Sequence, residues 1–178
     1  MSLKASRITS TIGIFLLCFL FHSMYEWIPN TLTAIFFPVN ESIWEHMKLI
    51  FTSTIVYGII DYIILNKFKI NYNNFFCSLF ISSVISIPIF LVIYLPIYYK
   101  IGPKMILNIG IMLLAIIISQ IISYYILKNK SSQILNIISL ILIIISYILL
   151  AYLTYNPIKC ELFFDTKDEK YGINNYNV

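Results

Sequence analysis

Charge is what this chain has least of. Only 11% of its 178 residues are Asp, Glu, Lys or Arg, 60% are hydrophobic, and the mean hydropathy is +0.86. A soluble domain of this size needs far more charge on its surface, so the solvent that fits is lipid. The fold class that follows is an all-α polytopic membrane bundle, because a helix satisfies its own backbone in hydrocarbon.

Other absences narrow the function. The net charge of +4 sits on Lys and Arg near the ends of apolar runs, without a basic stripe or an RNA-type aromatic motif. That leaves the lipid bilayer as partner and excludes nucleic acid. Cys18, Cys77 and Cys160 have no metal-ligand spacing, and the topology below sends Cys77 and Cys160 to opposite faces, too far apart for a disulfide. The chain has no serine nucleophile elbow, no Cys/His pair at one depth and no Gly-rich phosphate loop. Without an internal repeat or a low-complexity linker, residues 1–178 read as one integral-membrane domain. Lys4 and Arg7 before an apolar stretch imitate a signal peptide, but no small-x-small cleavage site follows, so this stretch is expected to stay as an uncleaved first span.

Five spans are predicted: Thr9 to Trp27, Ile43 to Leu65, Phe75 to Tyr98, Met105 to Leu127 and Ile134 to Tyr155, then a polar tail from Asn156 to Val178. Pro29-Asn30 ends the first, and Pro88 and Pro96 are expected to kink or end the third. A turn, Lys100-Ile101-Gly102-Pro103-Lys104, leads to the fourth. Lys4, Arg7, Lys67, Lys69, Lys128 and Lys130 fall on one side, against Lys100, Lys104 and Lys159 on the other. The bias predicts a cell (inner) membrane protein with its N-terminus cytoplasmic and its C-terminus outside.

What charge there is gathers in one place. Phe37-Pro38-Val39-Asn40-Glu41-Ser42-Ile43-Trp44-Glu45-His46-Met47-Lys48 sets two carboxylates, an imidazole and an ammonium between apolar runs. On the preceding span His22 and Glu26 are four apart and share a helix face. All of these fall at the outer end. His22, Glu26 and His46 are metal-ligand types, with Glu41 and Glu45 as catalytic carboxylates, and zinc, manganese or iron would suit them. Glu41 and Glu45 share a face with His46 about 100° around the helix. A three-ligand site from His22, one of Glu41 and Glu45, and His46 is therefore easier than five ligands, with another Glu as general base. A bound metal would supply hydroxide at neutral pH for hydrolysis.

A purely structural reading stands beside this one. Ser42-x-x-Glu45 fits a capping box, Glu41 suits the positive end of the helix dipole, and Lys48 can neutralise Glu45 at i, i+3. Against it stands the cost of ionisable groups at bilayer depth, about 2.5–3.5 kcal/mol for Asp, Lys or Arg. Asp61, Gln120 and Tyr124 form a second polar cluster in the inner half, with Asp61 expected to face Gln120 across spans two and four. The tail, through Asp165 and Tyr171, is expected to fold back over the outer face. Two alternatives to a membrane hydrolase remain: a small proton- or cation-coupled carrier, using acidic groups at both depths, and a non-catalytic accessory protein. An odd number of spans lacks the inverted repeat of carriers, which a homodimer would offset.

The set His22-x-x-Tyr25-Glu26-Trp27, Pro38-Val39-Asn40-Glu41-Ser42-x-Trp44-Glu45-His46-x-Lys48, Ser119-Gln120-x-x-Ser123-Tyr124, Leu162-Phe163-x-Asp165 and Tyr171-Gly172-Ile173 resembles a family of small bacterial multi-pass membrane proteins of unknown function. The resemblance covers essentially the whole chain. It implies the membrane architecture and no reaction. In the tail, Thr166-Lys167-Asp168-Glu169 stands where the family's pattern has a turn with Pro and Gly.

Overall fold

Polar caps decide where the apolar runs of this chain start as helices. A computed structural model describes residues 1–102 and 104–173, so Pro103 of the predicted turn and residues 174–178 of the predicted tail lie outside the described residues. Helix α1 (Leu3–His22) begins where the Ser2 side chain accepts from Ala5 N–H. It gives way at Ser23, whose N–H turns to the Phe21 carbonyl, and one further turn, α2 (Met24–Trp27), follows. A short helix, α3 (Thr31–Phe36), starts at an Asn30/Thr33 capping box. Four long helices complete the bundle: α4 (Ile43–Lys67), α5 (Phe75–Ile101), α6 (Met105–Lys128) and α7 (Gln133–Tyr155). A 3-10 turn (Glu161–Phe163) then leads into a two-stranded antiparallel ribbon, β1 (Phe164–Asp165) and β2 (Lys170–Tyr171).

Five stretches, the first running from Leu3 to Trp27 through α1 and α2, are long and apolar enough to cross a membrane. Their bounds differ from the predicted spans mostly at the ends. The first begins at Leu3 rather than Thr9 because Ser2 is the available cap, and α5 continues to Ile101 through both prolines. Pro88 and Pro96 each withhold one helical hydrogen bond, from the carbonyls of Val84 and Val92, without ending the helix. Helix α3 lies in the connection between the first two predicted spans.

Consecutive long helices run antiparallel. Helices α1, α4, α5 and α6 pack around one core, and α7 lies against α5 and α3. That core includes Ile14, Cys18 and Phe21 of α1, Met47 and Ile50 of α4, Phe90 and Tyr94 of α5, and Ile111, Ala115 and Ile116 of α6. Close approach depends on missing side chains: a Cβ on Gly13 would stand 1.8 Å from the Tyr57 ring, and one on Gly58 would stand 2.5 Å from Leu79. Small polar residues serve the same end, with Ser10, Ser53, Ser83, Ser86 and Ser119 all buried. The outside is the reverse. Ile8, Ile12 and Leu16 of α1 and Ile137, Ile141, Ile144 and Ile148 of α7 are exposed, a surface that suits hydrocarbon and not water.

One helix start is capped from another helix. Asn74 sits in the left-handed region with no side-chain cap of its own, and Asn136 of α7 supplies its Oδ1 to the N–H groups of Phe76 and Cys77. Asn74 in turn accepts from Ser132 N–H and donates to the Lys130 carbonyl. The starts of α5 and α7 are thereby tied at one level.

Candidate metal centre

The segment before α4 is held by its own polar residues and by the tail. Asn40 Oδ1 accepts from Ser42 N–H at 2.9 Å, and Ser42 Oγ caps the helix by accepting from Glu45 N–H at 3.3 Å. Asn40 Nδ2 donates to the Gly172 carbonyl at 3.1 Å, and Glu41 N–H donates to Asp165 Oδ2 at 3.0 Å. Glu41 is thus presented on a backbone fixed from both sides. Asp165 is fully buried and also accepts from Lys167 and Asp168 N–H.

His22 ends α1 and His46 lies in the first turns of α4, so both imidazoles reach the end of the bundle where Glu41 stands. Glu41 Oε2 is 3.6 Å from His22 Nε2 and 3.7 Å from His46 Nε2, and the two ring centroids are 5.3 Å apart. One ligand atom from each of the three residues lies within 4.8 Å of the others. His46 Nδ1 is 2.9 Å from the Ser42 carbonyl, which can only accept. Nδ1 therefore carries the proton, and a neutral His46 leaves the Nε2 lone pair facing Glu41. The His22 imidazole beside it holds the Glu41 carboxyl down to about 2, against the opposing effect of burial. Between 31% and 39% of each of the three side chains remains exposed.

The other carboxylates at this end are employed differently. Glu45 is 1% exposed; its Oε2 is 2.6 Å from Lys48 Nζ and accepts from Val39 N–H, while its Oε1 accepts from Thr154 Oγ1. Lys48 also donates to the Ala34 carbonyl at 2.8 Å and to Thr154 Oγ1 at 2.9 Å, which uses all three of its donors. The expected capping box is half formed: Ser42 reaches the Glu45 N–H, but the Glu45 carboxylate turns inward to Lys48 instead of back to Ser42. Glu26 is exposed on α2, outside the group of three. The break at Ser23 separates it from the helix that carries His22, so the expected i, i+4 pair does not face one ligand point.

At the opposite end, Asp61 and Gln120 meet through a third residue. Arg7 Nη2 is 2.9 Å from Asp61 Oδ2, and Arg7 Nη1 donates to Gln120 Oε1 at 3.2 Å and to Ser123 Oγ at 3.1 Å. Ser10 Oγ lies 2.7 and 2.8 Å from the two Asp61 oxygens. Tyr124 stays apart, with its hydroxyl 3.5 Å from Lys128 Nζ. Arg7 reads in sequence as a charge flanking a span, yet it is 8% exposed. A signal for the pairing did exist: Arg7 lies about one turn into α1 and Asp61 nearly two turns before the end of the antiparallel α4, so they share a depth.

The tail covers the motif. Phe163 stacks on Trp44 with centroids 4.6 Å apart, and Tyr171 packs on Phe164. The Thr166–Glu169 turn forms without Pro or Gly, with Glu169 at φ 52° and Asp165 receiving two of its N–H groups. Gly172 adopts φ 56°, and a Cβ there would come within 2.6 Å of the Thr154 carbonyl, so the ribbon docks on the end of α7 only with glycine at this position. Thr154 carries no signal in the sequence, and Asn40 and Trp44 stand in the motif without one for their partners, Gly172 and Phe163, which come from the tail.

A bundle with polar residues inside, apolar residues outside and five stretches able to cross a membrane is an integral-membrane type of helical protein. Residues 2–173 match the profile of DUF6512, a family of unknown function, and the chain belongs to that family. No curated protein and no solved structure matches the chain.

Proposed function

We propose that the chain is a multi-pass protein of the cell membrane that binds a divalent metal, zinc foremost, through His22, Glu41 and His46 and uses it for hydrolysis at the outer face. The observation that carries this reading is the approach of both Nε2 atoms to one Glu41 oxygen, at 3.6 and 3.7 Å. Ligands about 2.0–2.1 Å from a tetrahedral zinc stand roughly 3.3–3.4 Å apart, so each imidazole needs to approach Glu41 by only a few tenths of an ångström, with all three ligand atoms already within 4.8 Å of one another. The Ser42 carbonyl on His46 Nδ1 is the kind of outer contact that orients a metal-binding imidazole. Three protein ligands leave a fourth position for water, whose pKa on zinc falls to about 7, and the partial exposure of all three side chains gives a substrate access.

Hydrolysis is favoured over carriage by the state of the deeper charges. Glu45 and Asp61 have their oxygens engaged by Lys48, Val39 and Thr154 and by Arg7 and Ser10, so neither is a free binding or proton-exchange group. Glu45 therefore supports the start of α4 and is not free as a general base, and a metal held by His22, Glu41 and His46 would supply the activation of water. The lysine bias supports the N-terminus inside and the His/Glu end outside. Metal analysis of the detergent-purified protein tests the proposal: about one zinc per chain in the wild type and almost none in His46→Ala is the expected result. Equal metal content in the two proteins would remove it.

A further inference from the structure

A groove of about 580 Å³ opens between α1 and α6 at the Arg7 end, away from the His/Glu group. Its walls are Ile8 and Ile12 on one side and Ile117 and Ile121 on the other, with Lys4, Tyr124 and Tyr125 around its mouth and Arg7 and Gln120 at its base. Its size falls within the roughly 300–1,000 Å³ typical of small-molecule sites. The two helices are antiparallel here, so Lys4 to Ile12 and Tyr125 to Ile117 each span eight residue steps, or about 12 Å of rise.

The ends of this groove differ in chemistry. Apart from Arg7 and Gln120 at its base, isoleucines and Thr11 line it away from the mouth, and Ile8, Ile12 and Ile121 are each more than half exposed. At the mouth, Lys4 makes no ion pair or hydrogen bond among the described residues, and Lys128 lies beside Tyr124. Among the described residues no carboxylate lines the groove. Arg7, which forms part of it, keeps a buried Nε without a hydrogen-bond partner among the described residues. An apolar slot that begins at a cationic, tyrosine-rich mouth matches a molecule with an acyl chain and a negative head.

We infer that this groove holds an anionic phospholipid of the surrounding membrane, with one acyl chain between Ile8, Ile12, Ile117 and Ile121 and its phosphate at Lys4. Charge complementarity favours the lipid over a second copy of the chain, whose own α1/α6 surface would bring the same lysines against Lys4 and Lys128. The site is independent of the metal centre. It places a lipid against Arg7 and Gln120, so occupancy would buttress the contact of α1 with α6.

The test is native mass spectrometry of the full-length protein released from nanodiscs containing equal phosphatidylglycerol and phosphatidylcholine. The wild type is expected to retain phosphatidylglycerol in preference to phosphatidylcholine. Lys4→Gln should lower that preference about fivefold, the weight of one surface lysine near anionic lipid. Ile121→Trp should fill the slot and remove the retained lipid, whereas Ile144→Trp on the exposed face of α7 should leave it in place. Equal retention of the two lipids, or no change in Lys4→Gln, would show an unselective lipid shell and overturn the site. A lipid-free dimer that Ile121→Trp splits into monomers would assign the groove to a second copy instead.

Discussion

Two groups of ionisable residues sit at opposite ends of this bundle, and they are built on different terms. Arg7 and Asp61 are 8% and 3% exposed, lie 2.9 Å apart, and are surrounded by Ser6, Ser10, Gln120 and Ser123. His22, Glu41 and His46 stand 3.6–3.7 Å apart with about a third of each side chain in solvent. The first arrangement has its charges paired and its carboxylate oxygens engaged, with Arg7 Nε alone of its polar atoms left without a partner among the described residues. The second keeps a gap between one carboxylate oxygen and two imidazole nitrogens, which a proton or a bound cation would bridge. Buried charge that is saturated holds helices together, whereas partly exposed charge held short of hydrogen-bond contact is available to a ligand. Glu45 and Lys48 show that depth draws this line, since they lie at the same end as the His/Glu group and still belong to the closed kind.

The largest effect is therefore expected at the closed pair. Arg7→Ala leaves Asp61 without its countercharge and should cost about 3–5 kcal/mol of stability, measured by denaturation in detergent. Replacing both residues with leucine should cost less than either alanine change alone, because no unpaired charge then stays buried. If Arg7→Ala shifts stability by less than about 1 kcal/mol, water reaches Asp61 and the Arg7 end of the bundle is not closed.

At the open group a comparable substitution should spare the fold and remove the ligand. Glu41→Gln preserves shape but removes the charge, and metal affinity should fall by more than the roughly 10–100-fold that outer contacts command. Its melting temperature in chelator should stay close to that of the wild type. The carboxyl is held down to about 2, so whatever stability it contributes is fully present above its ordinary value of 4.5 and is lost progressively as pH falls from there through about 2. Loss of metal on mild acidification would then report protons arriving at the imidazoles, not at Glu41. A release midpoint near pH 2 in a metal titration would contradict that assignment.

A smaller effect is expected where the tail meets the motif. Asp165→Asn weakens the acceptor for Glu41 N–H, and metal affinity should drop about tenfold while the three ligands remain. An Asp165→Asn protein with wild-type affinity, read from competition with a metallochromic chelator, would make the ribbon a cover and nothing more.

Much of this was legible in the chain. Apolar runs bounded by lysines and prolines marked five spans, and the crowding of Glu41, Glu45, His46 and Lys48 marked one end. What spacing cannot reveal is who arrives from another helix. Glu41 and Glu45 look equivalent in the motif, but Glu41 stands before α4 and Glu45 in its first turn, and Thr154 and Ala34 divide them further by engaging the Glu45/Lys48 pair from α7 and α3. Arg7 looks like a flanking charge until Asp61 is placed beside it. His22 and Glu26 look like a helical pair, and a single misdirected N–H at Ser23 separates them.

Glu26 therefore gives the smallest and most discriminating effect. Its carboxylate is exposed, lies outside the group of three and acts on His22 only through space. Exposed charges of this kind are worth about 0.2–1 kcal/mol and are screened over roughly 8 Å at physiological salt. Glu26→Gln should lower metal affinity less than about fivefold, and the difference should vanish in ~1 M salt, where screening reaches about 3 Å. A loss beyond tenfold that persists in high salt would mean that α2 swings Glu26 onto the metal when it binds. The break at Ser23 would then be a hinge between a three-ligand and a four-ligand centre, and the helical pairing of His22 with Glu26 would describe the loaded site better than this arrangement does.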